Sequence, residues 1–316
     1  MNKELFFSIV IPTYNRAERL QHTLQSVLQQ TFGNFEIIVI DDGSADNSEV
    51  ICQQFADSRI QYVWQENAGP AAARNNGVAR SSGRYIAYLD SDDRWHPEYL
   101  NEVALQLGKL AHNSFLYGQI VVDRGVDRYW IKPARAKTAD ESVFDYLYLH
   151  GGFMQTSTLV IPRSLSHKIS WDESITFGDN DQYAIDLCNT GATAVMQTRP
   201  LVWYLDIDSG DALSQLFIHD AKSQRYQRFF HWMESHHGVM SSEARAGFEA
   251  HFLSGVHAWQ SPLKSWGFLW SAYRQGAIGA SGLMRQLLQN YAPKIYRKLT
   301  NAYVSRRGLA LKDTAF

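Results

Sequence analysis

Short apolar runs alternate with amphipathic segments over residues 1–110. The apolar runs predict strands buried on both faces, and they occupy 6–11, 35–40, 60–64 and 85–89. The segments between them predict helices, and in the first helix one stripe consists of Leu20, Leu24, Val27 and Leu28. Alternation of strands and helices with right-handed crossovers predicts an α/β fold with a doubly wound, mostly parallel sheet.

The pattern is less regular beyond residue 110. Further elements are predicted as strands at 114–122 and 156–162 and as a loop entering a helix at 176–187. The charged stretch 123–137 predicts a surface excursion. After about residue 212 the strand signals fade, and helical segments rich in aromatic residues follow. We therefore expect an α/β domain over 1–210 and a helical C-terminal extension over 211–316.

Polar loops follow three of the predicted strands: PTYN (12–15), DDGS (41–44) and DSDD (90–93). In open α/β sheets ligands bind beyond the carboxyl ends of the strands, so these loops should meet at one crevice. The third loop places three carboxylates within four residues, and like charges this close repel unless a cation lies among them. The loop is therefore either a solvated turn or a divalent metal site.

Composition and missing motifs narrow the function classes. The two cysteines, Cys52 and Cys188, lack any metal-ligand or disulfide spacing, which favours a reducing compartment. The first apolar run predicts a strand and not a signal peptide, and no run approaches the roughly 18 to 20 residues of a membrane span. A cytoplasmic protein is expected, with the inner face of the membrane as a further location. The absence of G-x-G-x-x-G and G-x-x-x-x-G-K-[ST] argues against dinucleotide-binding and P-loop proteins.

A family resemblance rests on SIVIPTYNRAERLQHTLQSVLQQTFGNFEIIVIDDGSADNS and NAGPAAARNNGVARSSGRYIAYLDSDD. Both segments resemble the inverting family 2 glycosyltransferases of the bacterial polysaccharide-biosynthesis type. The resemblance is close over about 5–110 and looser to about 205, and the last hundred residues match nothing. It implies the nucleotide-sugar-binding GT-A fold, Rossmann-like with a mostly parallel sheet. It also implies transfer of a sugar, with inversion, from a nucleotide-diphospho-sugar to a glycan or lipid-linked acceptor.

The resemblance also implies a donor site. Its predicted residues are Pro12, Thr13, Tyr14, Asn15, Asp41, Asp42, Arg74, Asp90 and Ser91. Asp42 could accept a hydrogen bond from uracil N3, which favours a UDP-sugar, and the ring of Tyr14 could cover the base. Arg74 could offset phosphate charge. The alternatives are that Tyr14 packs the first turn, that Asp41 or Asp42 caps the following helix, and that Arg74 is a solvated residue.

The D-x-D loop of the family holds a divalent metal. The resemblance therefore implies that Asp92 binds the metal directly and that Asp90 contacts the ribose or metal-bound water. The implied cofactor is Mn²⁺ or Mg²⁺. Asp93 lies outside the pattern and is expected to cap a helix beginning at Pro97.

Inversion requires one general base for the acceptor hydroxyl. The candidates are Asp179 and Asp181 in FGDNDQY. Related enzymes carry a catalytic Asp in an E-D or G-D pair at the start of a helix, which favours Asp179 after Gly178. A one-residue shift in alignment would favour Asp181. Both could instead be helix caps.

The C-terminal segment is strongly basic. Between Ala250 and Lys312 there are nine basic residues and no acidic one. The rest of the chain therefore has 21 of the 30 basic residues and all 32 acidic residues. The nine basic residues are Lys264, Arg274, Arg285, Lys294, Arg297, Lys298, Arg306, Arg307 and Lys312. With the tryptophans and tyrosines between them they favour peripheral contact with an anionic membrane, and nucleic acid is not an expected partner. Ordinary core and an oligomer interface are the alternatives.

The favoured hypothesis is an inverting, metal-dependent glycosyltransferase of surface polysaccharide synthesis. The alternative is a non-catalytic nucleotide-sugar-binding module of a glycan-synthesis complex, which the missing Glu of the E-D form keeps open. A nucleotidyltransferase would need a Gly-rich basic loop after the first strand, and PTYNRAERL is not one.

Overall fold

A mixed β-sheet flanked by helices forms the frame of the protein. The structure is a computed structural model that describes residues 4–207 and 224–310. The strands are β1 (Phe7–Thr13), β2 (Phe35–Asp41), β3 (Ile60–Trp64), β4 (Tyr85–Tyr88), β5 (Arg94–Trp95), β6 (Ser114–Asp123), β7 (Arg128–Lys132), β8 (Val160–Pro162), β9 (Thr193–Leu205) and β10 (Leu309–Ala310). The main path through the sheet runs β10-β7-β6-β8-β4-β1-β2-β3, and β9 pairs with β5 and β6.

The helices cover both faces of the sheet and form most of the C-terminal region. They are α1 (Ala17–Leu28), α2 (Ser48–Gln54), α3 (Pro70–Arg80), α4 (Tyr99–Leu107), α5 (Val143–Tyr148), α6 (Arg163–Ser166), α7 (Asp179–Asn189), α8 (Gln224–Ser235), α9 (Ser242–Phe248), α10 (Ser254–His257), α11 (Pro262–Arg274), α12 (Ala280–Tyr291) and α13 (Pro293–Arg307). A 3₁₀ turn, Thr156–Thr158, precedes β8, and a π-helical segment, Glu249–Leu253, joins α9 to α10.

The predicted parallel sheet is confirmed for the first four long strands. β3, β2, β1 and β4 are mutually parallel, and α1, α2 and α3 make the crossovers between them. Beyond β4 the neighbours β8, β6, β7 and β10 pair antiparallel, whereas β9 runs parallel to β6. The α/β fold is thus a parallel half, which carries the three polar loops, joined to a mixed half.

Three local predictions were wrong. The charged stretch 123–137 contains β7, because strands near a sheet edge carry polar and charged side chains on their open face. The predicted strand 156–162 begins as a 3₁₀ turn and is extended only over β8. The helix expected from Pro97 begins at Tyr99 as α4.

The strand β1 contributes side chains to two hydrophobic cores, one on each face of the sheet. Ile9 and Ile11 pack with Leu24 of α1 on one face, while Val10 packs with Val78 of α3 on the other. Successive side chains of a strand point to opposite faces, so a strand covered on both sides is apolar throughout. Because helices cover both faces, every residue of β1 is buried.

The C-terminal helices continue the larger core and add a smaller one. Phe229 and Met233 of α8 pack into the core that contains Tyr148, while Leu269 and Ala272 of α11 belong to the smaller core. The predicted domain boundary between 210 and 211 lies outside the described residues, so the division remains a prediction. Within the described ranges no helix is both long enough and apolar enough to cross a bilayer.

Gly77 allows α3 to lie close against β1, which yields a stability prediction. A Cβ at this position would lie 2.4 Å from Cγ1 of Val10. Gly77→Ala should therefore lower the free energy of unfolding by about 1–3 kcal/mol through overpacking. Gly267→Ala is the matched control, because a Cβ there meets nothing within 4 Å and should stabilise α11 by up to about 1 kcal/mol. Denaturation midpoints that move together in the two variants would contradict this packing argument.

Candidate active site

The three predicted loops meet at the carboxyl ends of β1, β2 and β4. Asn15, just after β1, accepts a hydrogen bond from the Ala45 amide at 2.8 Å through its side chain, and its own amide donates to Ser44 Oγ at 2.8 Å. Its φ of +50° lies in the left-handed region, which Asn tolerates better than most residues. Asn15 therefore ties the loop after β1 to the loop after β2.

Asp41 and Asp42 are both buried, and each holds a different part of the backbone. Asp41 accepts hydrogen bonds from the Ser44 amide and the Tyr62 hydroxyl, both at 2.7 Å. The carboxylate of Asp42 accepts from the amides of Ala68 and Gly69, at 2.9 and 2.8 Å. A third bond comes from Gln65, so three of about four lone-pair positions on Asp42 are engaged. The capping alternative is wrong, because α2 and α3 both begin without a side-chain cap and the two carboxylates hold loop amides instead.

The end of β1 supplies the other predicted donor residues. Pro12 and Thr13 are buried, and Tyr14 is 49% exposed directly beyond them. The Asp42 amide donates to the Thr13 carbonyl at 2.9 Å, which places Tyr14 beside the second loop. The hydroxyl of Thr13 is buried and has no hydrogen-bond partner among the described residues. An exposed aromatic ring and an unsatisfied buried hydroxyl thus lie at the same edge of the sheet.

Arg74 connects the two predicted catalytic regions. Its guanidinium donates to Asp90 Oδ1 and to Asp179 Oδ2, both at 2.8 Å, and lies 4.4 Å from the ring centre of Trp171. The side chain is buried, and within the part of the chain that the structure describes its Nε has no hydrogen-bond partner. Burial opposes ionisation of Arg74, but the two carboxylates raise its pKa overall, so the charge is retained. The solvated alternative for Arg74 is wrong.

Asp179 reaches this position because of the residue before it. Gly178 has φ +73°, and a Cβ there would lie 2.6 Å from the ring of Phe229. Only glycine fits both the left-handed backbone and the close approach of that ring. Asp179 is the first residue of α7, and its carboxylate turns to Arg74 without capping the helix.

Asp92 faces two arginines that sequence analysis did not identify. Its Oδ2 lies 2.7 Å from Arg16 and 3.6 Å from Arg19. Burial raises the pKa of Asp92, and Asp90 adds to that shift while Arg16 opposes it. Arg16 directly follows PTYN, but nothing in the local pattern indicates a partner 76 residues away. The pairs of Asp92 with Arg16 and Arg19 form only because the fold brings the chain after β1 next to the DSDD loop.

Asp93 is a buried structural residue and not a helix cap. Its carboxylate accepts from Gln155 at 2.8 Å and from Ser157. Burial, followed by the charges of Asp92 and Asp90, raises the pKa of Asp93 well above its usual range. The helix α4 begins at Tyr99 without a side-chain cap, so the predicted capping role of Asp93 is wrong. Ser91, between the carboxylates, is buried as well.

Asp181 lies apart from the carboxylates around Arg74. It accepts a hydrogen bond from Tyr148 at 3.1 Å. Burial raises the pKa of Asp181 to about 6, and the charge of Asp179 adds to the shift while Tyr148 opposes it. The two candidate bases therefore differ in surroundings: Asp179 pairs with an arginine, and Asp181 bonds to a tyrosine.

The loop residues fit a divalent cation only with help from a substrate. Of the oxygens on Asp90 and Asp92, one each is paired with arginine, which leaves Oδ2 of Asp90 and Oδ1 of Asp92. Among the described residues, no group of three or more His, Cys, Asp or Glu side chains is placed to hold a metal. Mg²⁺ in phosphoryl-substrate sites commonly takes one or two carboxylates and completes its shell with phosphates and water. The donor set matches that type of site.

The protein resembles known glycosyltransferases in sequence. The model of the family described as Glycosyl transferase family 2 matches residues 8–169. The amylovoran biosynthesis glycosyltransferase AmsB of Erwinia amylovora is 30% identical over 211 residues, which cover 64% of this chain and 70% of AmsB. The UDP-Glc:alpha-D-GlcNAc-diphosphoundecaprenol beta-1,3-glucosyltransferase WfgD of Escherichia coli is 38% identical over 133 residues, 40% of this chain and 51% of WfgD. The chain thus spans about half the length of WfgD.

Solved structures share the fold. The S. aureus TarS 1-349 complex with UDP-GlcNAc aligns with a TM-score of 0.60 at 18% identity, over 94% of this chain and 91% of that chain. The mannosyltransferase PcManGT from Pyrobaculum calidifontis, in complex with GDP-Man and Mn²⁺, aligns with a TM-score of 0.58 at 17% identity. The alignment covers 96% of this chain and 86% of PcManGT. These likenesses confirm the predicted GT-A fold, and the match to the family model confirms the sequence resemblance. The chain therefore belongs to Glycosyl transferase family 2.

Proposed function

We propose that this chain is an inverting, metal-dependent glycosyltransferase of surface polysaccharide synthesis. It moves a sugar from a nucleotide-diphospho-sugar, with UDP favoured, to a hydroxyl of a glycan or lipid-linked acceptor. The observation that carries the proposal is the bridge made by Arg74 between Asp90 and Asp179. Through it the DSDD loop and a candidate base lie at one crevice, where a donor's anomeric carbon could be reached from both.

The nucleotide is assigned to the edge formed by β1 and β2. The exposed ring of Tyr14 offers a flat face to a base, and the remaining lone pair of Asp42 can accept from uracil N3. Arg74 supplies positive charge that favours a diphosphate nearby. The name of WfgD specifies UDP-Glc and the TarS complex holds UDP-GlcNAc, whereas the PcManGT complex holds GDP-Man. Two of these three proteins are thus named with a UDP-sugar, and UDP is the proposed nucleotide of the donor for this chain.

Asp92, with Asp90, would hold Mn²⁺ or Mg²⁺. When bound there, the cation neutralises charge that develops on the departing diphosphate. Arg16 and Arg19, which face Asp92, add two further positive charges at the same loop. These arginines keep the carboxylate loop neutral enough for a diphosphate to approach.

Asp179 is the proposed general base. It removes the proton from the acceptor hydroxyl as that oxygen bonds to the anomeric carbon, and the bond from that carbon to the diphosphate oxygen breaks on the opposite face. Asp181 is the weaker candidate, because its carboxylate is directed to Tyr148 and away from Arg74. A lipid-linked acceptor is supported by the name of WfgD, which specifies a diphosphoundecaprenol acceptor.

Thermal denaturation with UDP, dTDP, GDP and CMP, each with Mn²⁺ or EDTA, tests the donor site. A nucleotide at about a hundredfold over its Kd should add roughly 2.7 kcal/mol, or roughly 5 to 10 °C in Tm. We expect the shift with UDP and Mn²⁺, its loss in EDTA, and its loss in Asp92→Asn. No shift with any nucleotide would refute the donor assignment. A UDP shift without transfer to any acceptor would instead support the non-catalytic module.

Two single variants separate the candidate bases. Asp179→Asn should lower kcat by at least about a hundredfold while UDP still shifts the Tm, because it removes the proton acceptor. Asp181→Asn is the matched control on the same helix and should retain transfer. The reverse result, with transfer lost only in Asp181→Asn, would move the base to position 181.

The raised pKa of Asp181 predicts a pH-dependent stability difference. With a pKa of about 6 in the folded state against the ordinary carboxyl value of 3.8, the folded protein favours the protonated carboxyl. Wild type should therefore lose stability as pH rises from 4 to 7, by up to about 3 kcal/mol from this group. Asp181→Asn lacks this loss, so its stability relative to wild type should be greater at pH 7 than at pH 4. Chemical denaturation at the two pH values measures the change, with exposed Asp127→Asn as control. An unchanged difference would show that Asp181 titrates normally.

A further inference from the structure

The helix α11 has apolar residues on a buried face and on an exposed one. Leu269 and Ala272 are buried against neighbouring helices, together with Ser265. A second stripe remains 39 to 89% exposed and consists of Leu263, Trp266, Trp270 and Tyr273. Spacings of three and four residues place these four side chains in one row along the helix. Large apolar side chains gathered in a row on the surface mark an interaction site more often than scattered ones do.

The helix α13 repeats this arrangement. Val304 is buried on the inner side, where the helix packs against β7. Ile295, Leu299 and Tyr303 follow one another at four-residue spacing and are 55 to 61% exposed. The helix α12 packs against both α11 and α13 and so joins the two helices. We refer to the two exposed rows together, Leu263–Tyr273 of α11 and Ile295–Tyr303 of α13, as the amphipathic surface.

Positive charge surrounds the amphipathic surface. From Ala250 to Ala310 the chain has eight Lys and Arg residues and no Asp or Glu. Exposed basic side chains next to the two rows are Lys264, Arg274, Lys294, Lys298, Arg306 and Arg307. Asp206 contributes a negative charge beside α13, where it pairs with Arg124 at 2.9 Å and with Arg297 at 3.6 Å. The charged side chains that α11 and α13 themselves carry are all basic.

We propose that the amphipathic surface binds the anionic head-group region of a lipid bilayer as a peripheral contact. Trp and Tyr side chains lie favourably at the boundary between head groups and acyl chains, and Leu and Ile enter slightly deeper. Lys and Arg are attracted to anionic lipids, at roughly fivefold in affinity per residue near the surface. A second copy of this chain is a poorer occupant, because two such faces would bring like charges together.

This surface connects to the candidate active site. Arg297 of α13 donates to the Asp206 carbonyl at 2.7 Å, and Asp206 directly follows β9. The strand β9 also pairs with β5, where Trp203 lies opposite Arg94, the residue directly after the DSDD loop. The inference deepens the proposed function and rests on it for its purpose, since a lipid-linked acceptor presents its hydroxyl at a membrane surface.

Vesicle sedimentation tests the contact with the full chain and without any sugar nucleotide. Vesicles of phosphatidylcholine alone are compared with vesicles in which about a third of the lipid is phosphatidylglycerol, at low and high salt. We expect binding to the anionic vesicles, little to the neutral ones, and weakening at high salt. Because no donor is present, failure of the transferase proposal would leave this result unchanged.

Matched variants identify the surface. Trp266→Ala/Trp270→Ala should weaken binding roughly tenfold or more, and Lys298→Gln roughly fivefold. Leu299→Ala should weaken binding about threefold or more, whereas Leu105→Ala should not, although the two leucines are 55% and 58% exposed on their helices. Circular dichroism verifies that each variant is folded.

Three results would overturn the proposal. The first is absence of binding to anionic vesicles, and the second is equal binding by wild type and Trp266→Ala/Trp270→Ala. The third is a concentration-dependent dimer that Leu299→Ala dissociates, since the occupant would then be a second copy. Light scattering after size exclusion measures the latter.

Discussion

The buried guanidinium of Arg74 is the interaction on which the candidate site depends. Removing a charge from water is costly, and here the cost is offset by two carboxylates at 2.8 Å and by the face of Trp171. Trp171 in turn stacks on Tyr183 with ring centres 4.0 Å apart. The charge is thus held by the aromatic core between α3 and α7, which fixes the relative positions of Asp90 and Asp179.

The crowded carboxylates of the DSDD loop are accommodated in three different ways. Asp90 pairs with Arg74, and Asp92 pairs with Arg16 and Arg19. Asp93 has no arginine partner in the structure. It is buried with hydrogen bonds from Gln155 and Ser157, and its pKa is raised well above the usual range. One loop therefore combines two ion-paired carboxylates with one that favours its neutral form, which lets three acids share a small volume.

The two halves of the protein carry opposite electrostatic character. The α/β part concentrates acids at the ends of its parallel strands, whereas every Asp, Glu, Lys or Arg position that the structure describes after Ala250 is a Lys or an Arg. Asp206 is where they meet, since both Arg124 and Arg297 pair with it. The proposed donor would bind at the acidic strand ends, and the proposed anionic membrane would contact the basic helices. The two proposals are compatible, because each ligand would meet a different charged region.

The strands β1 to β4 and their polar loops were predictable from sequence because period and burial are local properties. A strand covered on both faces must be apolar throughout, and the loop at its carboxyl end is set by chain order alone. The local pattern failed for β7, where a position next to the sheet edge permits charged residues. It also failed for Asp93, because the helix that it was expected to cap begins at Tyr99 and not at Pro97.

The partners of the site residues were decided only by the tertiary structure. Arg74 and Asp179 are 105 residues apart, and Arg16 and Asp92 are 76 apart. No local spacing encodes such pairs, because they arise when separate loops reach the same edge of the sheet. Sequence by itself determined that carboxylates, an aromatic ring and an arginine would gather at this edge. Packing determined which carboxylate meets which arginine, since that choice follows from the positions of α3 and α7 against the strands.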